Sequence, residues 1–409
     1  MPADDAPTPS GPAPAPPDLG VGGAWPVRRW LVVLAVLCAI AVAGFTGFRV
    51  PNAWCTTLDA VSLFDGFHRR FVVGSLLRPL AVASGYDYWL FAAYNYLVLA
   101  AVLTVLTVAA ARAELLSRRI LIIAWLLLPT GGFLFNEVGY FDQVLYLLLF
   151  AALRLVARGR LVAATCVMCV APFVHEIAIV TVIPVFGLFA LRTLPLRRAF
   201  AVTVPPALLN LVALAIPAAS PGAGARLAAT LAHANFVFRT DALTVFERTM
   251  AESWRTYNLD GVYMYVRWFA IVLVVAFIAL WRSDRRLWAS RGEGPSRVAR
   301  AMPAVILVAS CVAIAAPALL VFGGLDRERW AFLIVSNFML VVWLSLGDRR
   351  RAELAPAAIV VLITALLIVS HFSLGYFDKY APRDLGSRAA RRDFVRQIVD
   401  RSLFAIPSW

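Results

Sequence analysis

Eleven apolar runs separated by mostly short connections constrain this chain more than any other feature. They cover about 30–48, 88–111, 120–136, 140–157, 161–174, 177–191, 199–217, 266–281, 301–322, 330–347 and 355–371. A helix needs roughly 20 apolar residues to cross a bilayer. Helices are the expected spanning element, because backbone exposed to lipid must satisfy its own hydrogen bonds. The runs are too long and unbroken for the alternating strands of a membrane barrel. The chain's 409 residues are 61% hydrophobic and 15% charged, against about 45–50% and 25% in soluble domains. The expected fold is all-α: a polytopic transmembrane helical bundle of about 11 spans.

Three regions follow. Residues 1–26, mostly Pro, Ala and Gly, bury too little to fold and read as a disordered cytoplasmic tail. Residues 27–371 form the multi-span domain. Residues 372–409 carry Arg388, Arg391, Arg392, Arg396 and Arg401, with Phe394, Ile398, Val399 and Leu403 on one helical face, and read as an amphipathic basic tail on the outer membrane surface. Ala41-Val42-Ala43 resembles a signal-peptidase site, but the first run reads as an uncleaved span.

The connections set the orientation. Arg28/Arg29, Arg112/Arg118/Arg119, Arg158/Arg160, Arg192/Arg197/Arg198, the 282–300 stretch and Arg349–Arg351 fall at every second connection. That alternation puts the N-terminus in the cytoplasm and the C-terminus outside. The 31 residues 161–191, flanked by Arg160 and Arg192, then read as a tight hairpin with His175-Glu176 at its tip. Outer segments 49–87 and 218–265 are long, and the first should hold short interfacial helices. All four histidines (68, 175, 233 and 371) fall on the outer side. The net charge of +14 is spread through short loops, which excludes nucleic acid as a partner. Cys166 and Cys169 form a C-x-x-C inside a span and read as inert core.

Four outer constellations carry possible chemistry. Asp59 and Asp65-Gly66-Phe67-His68-Arg69-Arg70 offer proton acceptors beside guanidinium forks for phosphate; the plain alternative is a surface pair of Asp65 with Arg69. Asn136-Glu137 and Asp142 bracket a span-to-span turn, where a carboxylate is a functional candidate or, for Asp142, a helix cap. His175-Glu176 lies among apolar neighbours on both sides, which suits proton transfer or an internal packing pair. Asp326-Arg327-Glu328-Arg329 forms a charged turn, in which Arg327 and Arg329 suit an anionic headgroup, or a solvated loop whose charges neutralise each other. His233 and His371 read as incidental, and Asn337 as interhelical glue. H-E-x-x-H and phosphate-loop motifs are absent from the sequence. No cofactor is expected, and a divalent metal is left open.

In outline these features resemble GT-C-type integral membrane glycosyltransferases: a cytoplasmic N-terminus, about eleven spans, an acid in a long first outer loop (Asp59 or Asp65) and further outer carboxylates and arginines. The resemblance also extends to O-antigen polymerases and ligases. It lies in the architecture of the whole chain rather than in an alignable motif. It implies a sugar moved from a polyprenyl-phosphate donor to a glycan or lipid acceptor on the outer face of a bacterial inner membrane, with Asp65 or Asp59 as base. Here Asp65 is followed by His68-Arg69-Arg70 rather than by a second acid. On this reading Asp65, Asp59, Glu176, His175 and Glu137 are catalytic candidates, and His68, Arg69, Arg70, Asp142, Asp326, Arg327 and Arg329 hold substrate or phosphate. Aromatics in 218–265 (Phe236, Phe238, Trp254, Tyr257, Tyr263) are candidates to stack on sugar. Membrane lipids are the other expected partner. The competing class is a transporter or lipid flippase with Glu137, His175 and Glu176 as a proton relay.

Overall fold

A computed structural model describes residues 25–242, 260–283, 297–322, 326–346 and 382–399, with isolated positions at 252 and within 358–364. The tail 1–24, Arg349–Arg351, most of the run 355–371, His371 and Leu403 lie outside the described residues, as do the side chains of Trp254, Tyr257 and Tyr263. Among the described residues the architecture is all-helical. Six helices are long and apolar enough to cross a membrane, or seven if one bent pair is a single span.

The helices follow the apolar runs. They are α1 (Trp25–Gly47), α2 (Ala53–Asp59), α3 (Phe71–Ala83), α4 (Tyr88–Arg112), α5 (Leu116–Leu127), α6 (Pro129–Asn136), α7 (Asp142–Ala157), α8 (Leu161–Val174), α9 (Val182–Thr193), α10 (Leu196–Ala215) and α11 (Ala223–Leu231). After these come α12 (Asp260–Ser283), α13 (Arg297–Ala315), α14 (Arg327–Ser345) and α15 (Arg388–Val399). Exposed aliphatic stripes mark where lipid would cover the bundle: Leu31, Leu34 and Leu37 on α1, Phe200, Val204, Leu208 and Leu211 on α10, and Val305, Val308 and Val312 on α13. Against these, α14 is buried on almost every side and forms the centre of the bundle. Asn337 locks it there. Its amide donates to the Thr181 and Ala313 carbonyls (3.0 and 2.8 Å) and its oxygen accepts from the Tyr146 hydroxyl (2.9 Å), which is the interhelical glue its position suggests.

Two runs differ from the expected straight spans. The run 120–136 bends by 58° between α5 and α6, because Pro129 cannot donate the backbone bond that would continue α5. The hairpin 161–191 opens at its tip: α8 ends at His175, and a 3-10 turn (Glu176–Ile179) precedes α9. Pro172 sits in the last turn of α8. The first long loop does hold short helices, α2 and α3 with a 3-10 turn between them.

Contacts sort the connections onto two faces. Arg118 (first turn of α5) donates to the Trp343 carbonyl at 3.0 Å, and Arg192 (end of α9) to the Ser345 carbonyl at 3.2 Å. Both therefore lie at the C-terminal end of α14. At the opposite end Arg329 meets Asp142 and His175. The segment before α15 belongs to the face on which α1 ends: Arg383 donates to the Phe45 and Phe48 carbonyls (3.2 and 2.7 Å), its backbone amide to Thr46, and Phe394 packs on Phe45 and Phe48 with centroids 5.3 and 5.8 Å apart.

Candidate functional site

Four segments far apart in sequence converge at the N-terminal end of α14 and build one chain of charges. Arg329 grips Asp142 with both arms of its guanidinium, Nε to Oδ2 at 2.6 Å and Nη2 to Oδ1 at 2.9 Å. The same Nη2 lies 3.1 Å from His175 Nε2. His175 Nδ1 lies 3.2 Å from Glu176 Oε2. Glu176 in turn receives Arg70, Nε to Oε2 at 2.9 Å and Nη2 to Oε1 at 2.6 Å. The order is Asp142, Arg329, His175, Glu176, Arg70. Bidentate pairs of this kind fix geometry as well as charge.

The donors also set the tautomer of His175. An arginine N–H can only donate, so Nε2 must offer its lone pair and the proton sits on Nδ1, facing Glu176. The Ile177 amide lies farther from the same Nδ1, at 3.4 Å, and the 3.2 Å Glu176 contact is the one that agrees with what Arg329 requires. Aromatic rings wall the array: Tyr140 lies 4.8 Å from the Arg329 guanidinium, and Phe141 meets the His175 ring edge-on at 6.3 Å. The turn 137–141 carries this wall. Gly139 has φ of +102°, and a Cβ there would lie 2.7 Å from Cys55 Cβ, so glycine is required for the turn to lie on α2.

The array is largely buried along its length, and its exposure is graded. The Asp142 and Arg329 side chains are 5% and 9% exposed, whereas Arg70 and Glu176 are 11% and 19% exposed. Of the two bidentate pairs Arg70–Glu176 is the more exposed. Asp326 adds a second carboxylate to Arg329 at 3.3 Å, and Arg327, exposed at the rim, pairs with Glu328 at 2.6 Å.

Asp65 belongs to a different structure. Its Oδ2 accepts from Arg78 (2.8 Å), its Oδ1 from Thr230 (2.9 Å), and its backbone carbonyl from Arg226 (2.7 Å). It thus clasps α3 and α11 together, and it does not form the surface pair with Arg69. Arg69 instead caps α10 by donating to the Leu214 and Ile216 carbonyls. His68 is buried in the short antiparallel bridge to Ala219, and burial lowers its pKa. Asp142 does not cap its own helix, since Arg329 holds both of its oxygens. Asp59 is fully buried; its Oδ2 accepts from Asn95 at 2.6 Å, while Oδ1 meets no hydrogen-bond partner among the described residues. Burial pushes its pKa well above the ordinary carboxylate range. Glu137 lies half-buried in the turn. Phe236 is packed edge-on against Phe91 at 5.8 Å, so it anchors the core and presents no face for a sugar.

The sequence reading gave no weight to several residues that matter here. Arg78, Arg226 and Thr230 hold Asp65, Asn95 holds Asp59, and the buried Glu328 Oε2 meets no partner among the described residues. Only Glu328 had a signal, its place in the charged turn. Among the described residues no three His, Cys, Asp or Glu side chains gather closely enough to hold a metal ion. Compared with known proteins, the chain matches no family model, no curated relative and no solved structure.

Proposed function

We propose that this chain is an integral membrane glycosyltransferase acting on the array face, taken as the outer face of a bacterial plasma membrane that the chain crosses about eleven times in a GT-C-like arrangement. It moves a sugar from a polyprenyl-phosphate donor to a glycan or lipid acceptor. The observation that carries this reading is the five-residue array, in which arginines and carboxylates alternate at one end of the central helix with every side chain less than a fifth exposed. The reaction needs both kinds of group. The acceptor hydroxyl must lose a proton to a carboxylate as it attacks the anomeric carbon. The departing lipid phosphate gains negative charge, which a guanidinium stabilises best where water is excluded. A polyprenyl tail can reach such a site from the bilayer, as a soluble sugar nucleotide cannot.

The test is release of polyprenyl phosphate from a panel of polyprenyl-phosphate sugars by the purified protein. Release that disappears in Arg70→Ala supports transfer. No release from any donor, by folded protein, removes the reading, and release of pyrophosphate-linked lipid instead would indicate a polymerase or ligase.

A second reading, transport with a Glu-His relay, draws on one observation: the bent span at Pro129 and the break at His175, since transporters bind substrate at interrupted helices. Uptake of a solute into proteoliposomes driven by a proton gradient would favour it.

A further inference from the structure

We propose that Arg70 is the donor-phosphate site and that Glu176 occupies it until the donor arrives. The inference rests on the transferase reading and adds an order of events to it. Three observations lead to it. The Arg70 guanidinium presents its Nε–Nη2 edge, and the Glu176 carboxylate fills that edge with two short bonds. A phosphate monoester or diester offers the same two-oxygen geometry, with more negative charge in the monoester. The pair is also the more exposed of the two bidentate arginine–carboxylate pairs in the array. The neighbouring arginines suit it less: Arg69 is committed to the Leu214 and Ile216 carbonyls, and Arg329 is shared by Asp142, Asp326 and His175, so a phosphate there would have to displace more than one partner.

Displacement has a defined consequence. Once phosphate takes Arg70, Glu176 loses both arginine bonds but keeps its tether to His175 Nδ1. It then becomes a carboxylate with open lone pairs beside the reacting carbon. The acceptor O–H gives its proton to Glu176, and the acceptor oxygen bonds to the anomeric carbon. The bond from that carbon to the phosphate oxygen breaks, its electron pair stays on the phosphate, and Arg70 holds the charge. Before the donor binds, Glu176 is caged and cannot accept a proton. The site therefore requires donor first and acceptor second, which guards it against activating water while empty.

The experiment measures binding of a long-chain polyprenyl phosphate to the full-length protein in detergent, with the uncharged polyprenol of equal length as control. Glu176→Gln removes the competing charge, so it should bind the phosphate about tenfold more tightly than wild type, with polyprenol binding unchanged and transfer lost. Glu176→Asp, one methylene shorter, should move affinity the same way by less and keeps the test available if the glutamine variant does not fold. A residue that only supported packing would weaken binding on removal. Equal or weaker phosphate binding in both variants would overturn the latch while leaving the transferase reading in place. Binding of polyprenyl phosphate to neither wild type nor variants would remove the latch and the transferase reading together.

Discussion

The two ends of α14 use arginine in opposite ways. At its C-terminal end Arg118 stacks 3.6 Å from the centroid of the Trp343 ring and donates to that residue's carbonyl, while Arg192 donates to Ser345. These arginines meet the exposed carbonyls that end every helix, where a cation is welcome. They fix the helix in place through its own terminal carbonyls. At the N-terminal end Arg329 takes Asp142, His175 and Asp326, and Arg70 takes Glu176 one link further on. There the cations face side chains that can exchange partners, and the Tyr140 and Phe141 rings flank them. Arginine in a membrane protein therefore has two readings, anchor and site, and what its guanidinium donates to tells them apart.

The largest effect should come from Arg329→Met. It leaves Asp142 as a buried, unpaired carboxylate, a loss of about 3–5 kcal/mol. Adding Asp142→Leu should recover most of that stability, measured by thermal unfolding, yet leave transfer absent. Recovery of transfer along with stability would mean that the array is only packing. Next, Asp65→Asn should loosen the clasp between α3 and α11 by about 1–3 kcal/mol, the worth of a charged hydrogen bond, with transfer per folded molecule kept within a few-fold. A total loss of transfer in stable protein would move the base to Asp65. At the anchor end, Arg118→Ala should cost about 1–2 kcal/mol, a cation–π contact and one hydrogen bond, and leave transfer per folded molecule unchanged.

The smallest effect tests Asp59 through pH. Its folded pKa is raised by burial, so the folded protein holds a proton that the unfolded chain releases near pH 4. The wild type should therefore lose stability as pH climbs from about 4 towards the folded value and stay level above it. Asp59→Asn removes that slope, so its advantage in melting temperature should widen over that window. A constant or shrinking gap would show that Asp59 is paired after all.

How much of this the sequence announces depends on the distance over which the physics acts. Helices at 88–112 or 196–215 are legible because apolar length alone specifies them. The bend at Pro129 has a local cause and could have been read from Leu128-Pro129. The residues of the array stand out individually as charges in apolar surroundings. Their partners do not, because Arg329 and Asp142 are 187 positions apart and Arg70 and Glu176 are 106 apart, so only the fold brings them together. Asp65 shows the cost of local reasoning. Its nearest arginines in sequence, Arg69 and Arg70, are both taken elsewhere, and its own partners lie in α3 and α11.

The most direct measurement of the central claim is transfer of labelled sugar by the protein in proteoliposomes of one orientation, with the polyprenyl-phosphate donor supplied to one side at a time. The account predicts transfer when donor and acceptor are on the side of Arg70 and Glu176, and none when they are confined to the side of Arg118 and Arg192. Transfer only from the latter side, or from neither with any donor, would contradict it.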